Sequence, residues 1–175
     1  MKKCYLLMVL LALLSCQESQ KEINGFGGFD IGSDLSSHEK FADFRNTMPD
    51  EYFCNTIKLS EVIGPVSNLS ISTENGKIIE VKFSTNENTN IGNIHKHLET
   101  LKKAEKEVNF KNEFKFKSYT TTNKEILFMT IENKNELMKN GNPKQEIIYS
   151  NKKAINEDQK LLKLTSNKVS TVSSH

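Results

Sequence analysis

The sequence predicts an α+β fold, in which an antiparallel sheet of about five strands carries two to three helices packed mostly on one face. Three observations lead to this prediction. The turn signal Asn75-Gly76 separates two runs in which apolar residues alternate with polar ones. Apolar residues then recur at helical spacing from Ile91 to Val108. The run 125–131 has apolar residues on both alternations, which is typical of a central strand covered on both faces.

The first residues have the pattern of an export signal. Lys2 and Lys3 precede an uninterrupted apolar run, 5–14, of about the length found in secretory signal peptides. A helix that crosses a bilayer needs roughly 20 apolar residues, and here polar residues follow from Gln17 onward. The pattern therefore predicts a signal that is removed.

The apolar run ends in Leu13-Leu14-Ser15-Cys16. This sequence resembles the signal of bacterial lipoproteins, although Leu14 is bulkier than is usual at its position. The resemblance implies that Cys16 is lipidated and becomes the new N-terminus, and several acyl chains on one residue anchor a protein durably. It also implies that Gln17, in place of Asp, directs the protein to the outer membrane, facing the periplasm or the surface. An ordinary signal peptide that ends at a chance cysteine is the alternative.

These features divide the chain into four parts. Residues 1–15 are the predicted signal peptide, 16–33 the lipidated cysteine and a tether, 34–164 a single domain, and 165–175 a disordered tail rich in Ser and Thr. A flexible tether of this length would reach roughly 23 Å end to end.

Glycines and aromatic residues are mixed in the tether segment 25–32. Its glycine spacing fits no phosphate-binding loop. The chain there is mobile in principle, yet Phe26 and Phe29 need burial, so the segment either docks on the domain or presents its aromatic rings to a partner. Docking is the favoured interpretation.

Two short helices are predicted before the Asn75-Gly76 hairpin. Ser36 and Glu39 form a capping box that starts a helix running to about Asn46, with Phe41, Ala42 and Phe44 inward. The segment 59–65 is predicted to form one helical turn, because Gly64-Pro65 would stop it.

The register of the hairpin has two solutions. A two-residue loop would place Ile71 opposite Glu80, whereas a three-residue loop, 74–76, pairs Ile71 with Ile79 and Leu69 with Val81. The second solution is favoured because it makes one face apolar. That face consists of Leu69, Ile71, Ile79, Val81 and Phe83.

The second half of the chain is predicted to alternate helices and strands. Thr89 or Asn90 caps a helix that runs to about Glu107 and buries a stripe formed by Ile91, Ile94, Leu98, Leu101 and Val108. A strand from Phe110 to Tyr119 and the central strand 125–131 follow. After a loop at 132–144 come a last strand, 146–150, and a helix over 152–164.

Charge and cysteine content restrict the possible functions. Of 24 basic and 22 acidic residues, removal of the signal deletes Lys2 and Lys3, so the mature chain is formally neutral and nucleic acid is not an expected partner. Cys4 would leave with the signal and Cys16 would carry lipid. The remaining thiol, Cys54, is therefore expected to be a small buried apolar group rather than a nucleophile.

No catalytic, cofactor-binding or metal-binding residue is predicted. His95 and His97 form a close pair, but two positions along a helix separate them by about 200°, so they cannot share a metal. Lipidation of Cys16 is the single site that the sequence predicts.

Three functions remain open. The favoured one is a lipid-anchored binding or scaffold module that contacts an unidentified envelope protein. The segment 59–82, in which Gly64-Pro65 is followed by the Asn75-Gly76 hairpin, resembles part of the small lipoprotein of the outer-membrane barrel-assembly machinery. The second is an immunity lipoprotein that neutralises a toxin. The third is an envelope hydrolase whose site only the fold assembles, and a cavity lined by two carboxylates, or by Cys54 and a histidine, would favour it.

Overall fold

A computed structural model describes residues 23–103, 108–110, 113–123 and 125–151. The predicted signal peptide, Cys16, the start of the tether, the helix over 152–164 and the tail 165–175 lie outside the described residues. The strands are β1 (Gly25–Phe26), β2 (Phe29–Asp30), β3 (Arg45–Met48), β4 (Glu51–Ser60), β5 (Gly64–Glu74), β6 (Lys77–Ser84), β7 (Lys102–Lys103), β8 (Val108–Phe110), β9 (Phe114–Thr120), β10 (Ile126–Leu137) and β11 (Pro143–Asn151). Among the described residues the one α-helix is α1 (Ile91–Leu98).

Nine of the described strands form one antiparallel sheet, and β1 pairs with β2 in a separate hairpin. The order across the sheet is β3-β4-β5-β6-β11-β10-β9, after which β7 and β8 both pair with β9. Two meanders, one from β3 to β6 and one from β9 to β11, are joined because β11 pairs with β6. This long-range pairing places the end of the described chain in the middle of the sheet.

One face of the sheet carries the core. Its fully buried side chains include Val81 and Phe83 of β6, Phe128 of β10, and Ile147 and Tyr149 of β11. The helix α1 contributes Ile94 and Leu98, both with no exposed surface. The hairpin β1–β2 packs on this same face, since the ring of Phe26 contacts those of Phe83, Phe128 and Tyr149. We call this the inner face, and the opposite one the outer face.

The predicted α+β class is wrong, because the described chain is mostly strand. The helix predicted from Ser36 to Asn46 is replaced by two short 3-10 turns, Leu35–Ser37 and Phe41–Asp43, and by β3. Asp34, not Ser36, is the cap, and its carboxylate accepts from the N–H of Ser36. A capping signal can be satisfied within a single turn, and here pairing of β3 with β4 decides the conformation of the rest.

The helical turn predicted at 59–65 is also wrong. β4 continues to Ser60, and a turn leads into β5 at Gly64, so the segment is the corner of a hairpin. Gly64 has a φ of 83°, a conformation that glycine adopts readily. Because Gly ends helices and also makes tight hairpin corners, the sequence alone favoured the wrong element.

The Asn75-Gly76 hairpin is confirmed, but neither predicted register is correct. Asn75 and Gly76 both have positive φ and form a two-residue loop, with Glu74 paired to Lys77. The register then shifts so that Ile71 pairs with Val81, and the extra residue on β6 is Ile79. This β-bulge places Ile78 in the core and leaves Ile79 half-buried, so it restores the apolar face without the longer loop.

Later elements are partly as predicted. Asn90 caps α1, but the helix ends at Leu98 rather than near Glu107, and residues 104–107 lie outside the described part. Ile94, Leu98 and Leu101 are buried as expected. The strand 146–150 is confirmed within β11, whereas most of the predicted loop 132–144 belongs to β10 and β11.

β10 is central in the sheet, as its apolar sequence indicated, because it pairs with β11 on one side and β9 on the other. Its two faces nevertheless differ. Ile126, Phe128 and Thr130 are buried on the inner face, whereas Leu127, Met129 and Ile131 on the outer face are only half-buried.

Candidate functional site

The glycine-rich segment 25–32 is docked on the domain, as favoured from the sequence. Phe26 is 3% exposed and Phe29 is not exposed at all. Phe29 stacks on the imidazole of His38, with 3.9 Å between ring centroids. The two aromatic residues are therefore part of the core and are not presented to a partner.

Tyr149 holds this hairpin to the sheet. Its hydroxyl donates a 2.9 Å hydrogen bond to the carbonyl of Phe29 and accepts one of 3.2 Å from the N–H of Phe26. Burial raises the pKa of the Tyr149 phenol, because the charged phenolate would be desolvated there. The phenol therefore serves as a structural connector.

Docking of Phe26 and Phe29 shortens the tether available to the predicted anchor. Ile23 already packs partly against the core. Between it and Cys16 lie only residues 17–22, which a flexible chain would span over roughly 13 Å. A domain anchored at Cys16 would consequently lie close to the bilayer.

The structure places Cys54 on β4 as a structural residue. Its side chain is 9% exposed, and its thiol donates to the carbonyl of Thr56 over 3.4 Å. This agrees with the prediction of a small buried group. The predicted lipidation site, Cys16, lies outside the described residues.

The described histidines each form hydrogen bonds with different partners. Nε2 of His95 is 3.0 Å from the amide oxygen of Gln145, and Nδ1 of His97 is 2.7 Å from the carbonyl of Asn93. His38 contacts the carbonyl of Gly27 and the N–H of Lys40. In the part of the chain that the structure describes, no three His, Cys, Asp or Glu side chains lie together as a metal site.

A groove crosses the outer face, and no sequence motif pointed to it. It consists of two adjoining cavities of about 220 Å³ and 350 Å³, both lined by Glu136 and Lys144. The first cavity is lined in addition by Ser84, Phe114, Ile131, Asn133, Gln145 and Glu146, and the second by Ser67, Asn68, Thr85, Asn86, Glu87, Leu137 and Met138.

Strand register explains why these residues meet. Ser67 pairs with Ser84, Ser84 with Glu146, and Glu146 with Ile131, so one row of side chains crosses β5, β6, β11 and β10. A second row, two residues along the strands, joins Lys144 to Asn133 and Asn133 to Phe114. With neighbouring strands about 4.8 Å apart, the rows extend roughly 19 Å from β5 to β9.

Lysines pair with the carboxylates of the groove. Lys144 contacts Glu136 at 2.8 Å, and Lys82 contacts Glu146 at 2.7 Å. At the rim, Lys139 lies 3.7 Å from Glu87. The groove is therefore polar but close to electrically neutral.

Two carboxyl groups elsewhere on the surface have perturbed titration. A hydrogen bond from the Ser36 hydroxyl lowers the pKa of Asp34, and a hydrogen bond from Lys58 lowers the pKa of Glu61. A general acid for glycoside cleavage needs a shift in the opposite direction, so neither of these two groups suits that role.

The described part of the chain contains no α-helix with the length and apolar character of a membrane-spanning segment. No protein-family model matches the chain, and searches of curated proteins and of solved structures give no match either.

Proposed function

We propose that the protein is a lipid-anchored, non-catalytic binding module of the bacterial cell envelope, held at the outer membrane by acylated Cys16. The observation that carries this proposal is the order of the N-terminal features: Lys2-Lys3, the apolar run 5–14, and Leu13-Leu14-Ser15-Cys16. The docked segment is consistent with it, because Ile23 packs against the core and only residues 17–22 lie between it and Cys16.

Mass spectrometry of the protein purified from membranes tests the anchor. We expect an N-terminal peptide that starts at Cys16 and carries acyl chains, with residues 1–15 absent. Cys16→Ala should leave the precursor without lipid and release or mislocalise the domain. Cys54→Ala is the matched control, since it removes the other cysteine of the mature chain and should leave the anchor unchanged.

Two experimental results would contradict the anchor proposal. One is acyl labelling that persists in the Cys16→Ala protein. The other is a native protein with an intact initiator methionine, or with an unmodified N-terminus and free diffusion.

The envelope partner is identified most directly by co-purification. Cross-linking in intact cells before detergent extraction should retain a protein bound to the wild-type domain. The same protein should be absent when Cys16→Ala mislocalises the domain, which serves as the background control.

A hydrolase is the second candidate, because the first cavity is lined by the two carboxylates Glu136 and Glu146. Paired carboxylates are the arrangement that glycoside hydrolysis uses. Both carboxylates contact a lysine, however, which is typical of a charge-balanced surface. Incubation with chitotetraose and analysis of the products distinguishes a hydrolase from a charge-balanced surface. Cleavage that is lost in Glu136→Gln or Glu146→Gln would establish the hydrolase.

A further inference from the structure

We infer that the groove on the outer face binds a short, uncharged oligosaccharide. This inference goes beyond the proposed anchor and does not depend on it, because every residue that carries it lies on the described strands or the turns that join them.

The first argument is charge. A phosphate or carboxylate ligand requires unopposed positive charge, and a cationic ligand requires unopposed negative charge. Lys144 is paired with Glu136, and Lys82 with Glu146. A ligand with a net charge would have to disrupt these pairs, so an uncharged ligand fits the groove best.

The second argument is the chemistry of the lining. Ser67, Ser84 and Asn133 contribute hydroxyl and amide groups along the two rows, and the exposed Asn68 adds another amide. Two of these groups are held in place by bonds within the domain: the Ser67 hydroxyl accepts from the Asn86 amide, and the Asn133 amide oxygen accepts from the N–H of Asn135. Planar amides and carboxylates can form paired hydrogen bonds with neighbouring hydroxyls of a sugar ring, because they offer two polar atoms side by side.

The third argument is the apolar end. Phe114 and Ile131 line the groove near β9, and both are half-buried. The ring centroids of Phe114 and Phe116 are 6.3 Å apart. An aromatic surface beside polar groups suits the C–H face of a sugar, which is apolar although its rim is polar. Binding sites in proteins commonly combine such an apolar wall with a few placed polar groups.

Shape distinguishes an oligosaccharide from a single small molecule. The rows extend roughly 19 Å across the sheet, and the two cavities adjoin through Glu136 and Lys144. An extended ligand with repeated hydroxyls would occupy both cavities, whereas a monosaccharide would fill only part of one.

The test uses full-length protein extracted in a zwitterionic detergent. A detergent with a sugar headgroup is avoided because the headgroup would compete with the saccharide probes. Chitotetraose and maltotetraose are the probes, and hydrogen-exchange mass spectrometry is the readout. We expect at least one probe to increase protection in the peptides that cover 67–68, 84–87, 131–138 and 144–146. Calorimetry should then give a saturable affinity for that probe.

Variants link binding to the groove. Asn133→Ala removes an amide from the second row, and Phe114→Leu removes the aromatic surface while it keeps an apolar side chain. Each should weaken binding about tenfold, which corresponds to about 1.4 kcal/mol. Asn46→Ala is the matched control, since Asn46 is an exposed strand asparagine on β3, far along the sheet order, and should leave affinity unchanged.

Three outcomes would overturn the inference. The first is no change in exchange with either tetrasaccharide at millimolar concentration. The second is binding that Asn133→Ala and Phe114→Leu weaken no more than Asn46→Ala does. The third is protection of the groove by an uncharged polar hexapeptide and by neither saccharide. Acylation of Cys16, measured on the same sample, shows independently whether the anchor proposal holds.

Discussion

Tyr149 and Phe29 are joined by a 2.9 Å hydrogen bond, from the phenol hydroxyl of one to the backbone carbonyl of the other, although 120 residues separate them. The same hydroxyl accepts from the N–H of Phe26. One side chain of the last described strand thus satisfies two backbone groups of the first hairpin. The β1–β2 hairpin is thereby fixed to the centre of the sheet.

Replacement of Tyr149 by Phe should therefore destabilise the domain. The variant keeps the ring that stacks on Phe128 but leaves the N–H of Phe26 and the carbonyl of Phe29 buried without this partner. We expect a loss of about 1–3 kcal/mol in the free energy of unfolding, measured by urea denaturation. Tyr52→Phe, at a half-buried ring, should change it by less than about 0.5 kcal/mol. Equal effects of the two variants would show that the Tyr149 hydroxyl contributes little.

Stability should also depend on alkaline pH through Tyr149. Burial raises the pKa of its phenol above the ordinary value of 10.0, so the folded protein keeps the proton where the unfolded chain loses it. The stabilisation that results from this difference in pKa is complete below pH 10. Above pH 10 it is lost, and the free energy of unfolding falls by up to about 1.4 kcal/mol per pH unit. Urea denaturation between pH 9 and 11.5 measures the slope. Because Tyr149→Phe cannot ionise, its slope should be shallower, and parallel curves would contradict this explanation.

Two hairpin glycines allow backbone strain to be separated from steric conflict. Gly76 and Gly64 both have positive φ, at 76° and 83°. A Cβ atom at Gly76 would meet no atom within 4 Å, whereas one at Gly64 would lie 2.8 Å from the carbonyl oxygen of Asn88.

We therefore expect Gly76→Ala to lower the free energy of unfolding by about 1–2 kcal/mol, because alanine is strained at this positive φ. Gly64→Ala should cost more, because the Asn88 backbone must also move. Thermal unfolding of both variants gives the comparison. If Gly64→Ala destabilises the domain no more than Gly76→Ala does, the backbone of the 86–89 loop can move without a measurable loss of stability.

Cys54 should be unreactive in the folded protein. Its thiol is almost fully buried on β4 and donates a hydrogen bond to Thr56. We expect a thiol reagent such as DTNB to modify it at a rate set by unfolding, with a large increase in urea. Rapid modification under native conditions would contradict its role as a core residue. Cys54→Ala should lower stability only modestly, since it removes one small group.

The hairpin shows how far local sequence could go. Asn75-Gly76 located the turn, because few residue pairs adopt two successive positive φ values readily. The register depended on a bulge at Ile79, and a bulge is selected by packing of Ile78 and Val81 into the core. A register without a bulge cannot produce this packing, whether the loop has two residues or three.

The groove could not have been predicted from the sequence. Ser67, Ser84, Glu146 and Ile131 are ordinary residues in four different strands, and no spacing relates them along the chain. They form a row only because β11 pairs with β6, a contact that brings the two meanders together. By contrast, the anchor prediction rests on contiguous residues, which is why it can be made without any fold.

The sequence by itself determined the features that depend on neighbours in the chain: the apolar start that ends at Cys16, the Asn75-Gly76 turn, a helix start at Thr89 or Asn90, and the apolar strand from Ile126 onward. The structure then assigned the cap of α1 to Asn90. Only the tertiary structure decided that the segments after Ser36 and Leu59 are turns and strands rather than helices, and that Phe26 and Phe29 belong to the core. The physical reason is that a short amphipathic run gains little from its own helical hydrogen bonds. Its conformation follows the partner strand or aromatic cluster against which it buries its apolar side chains.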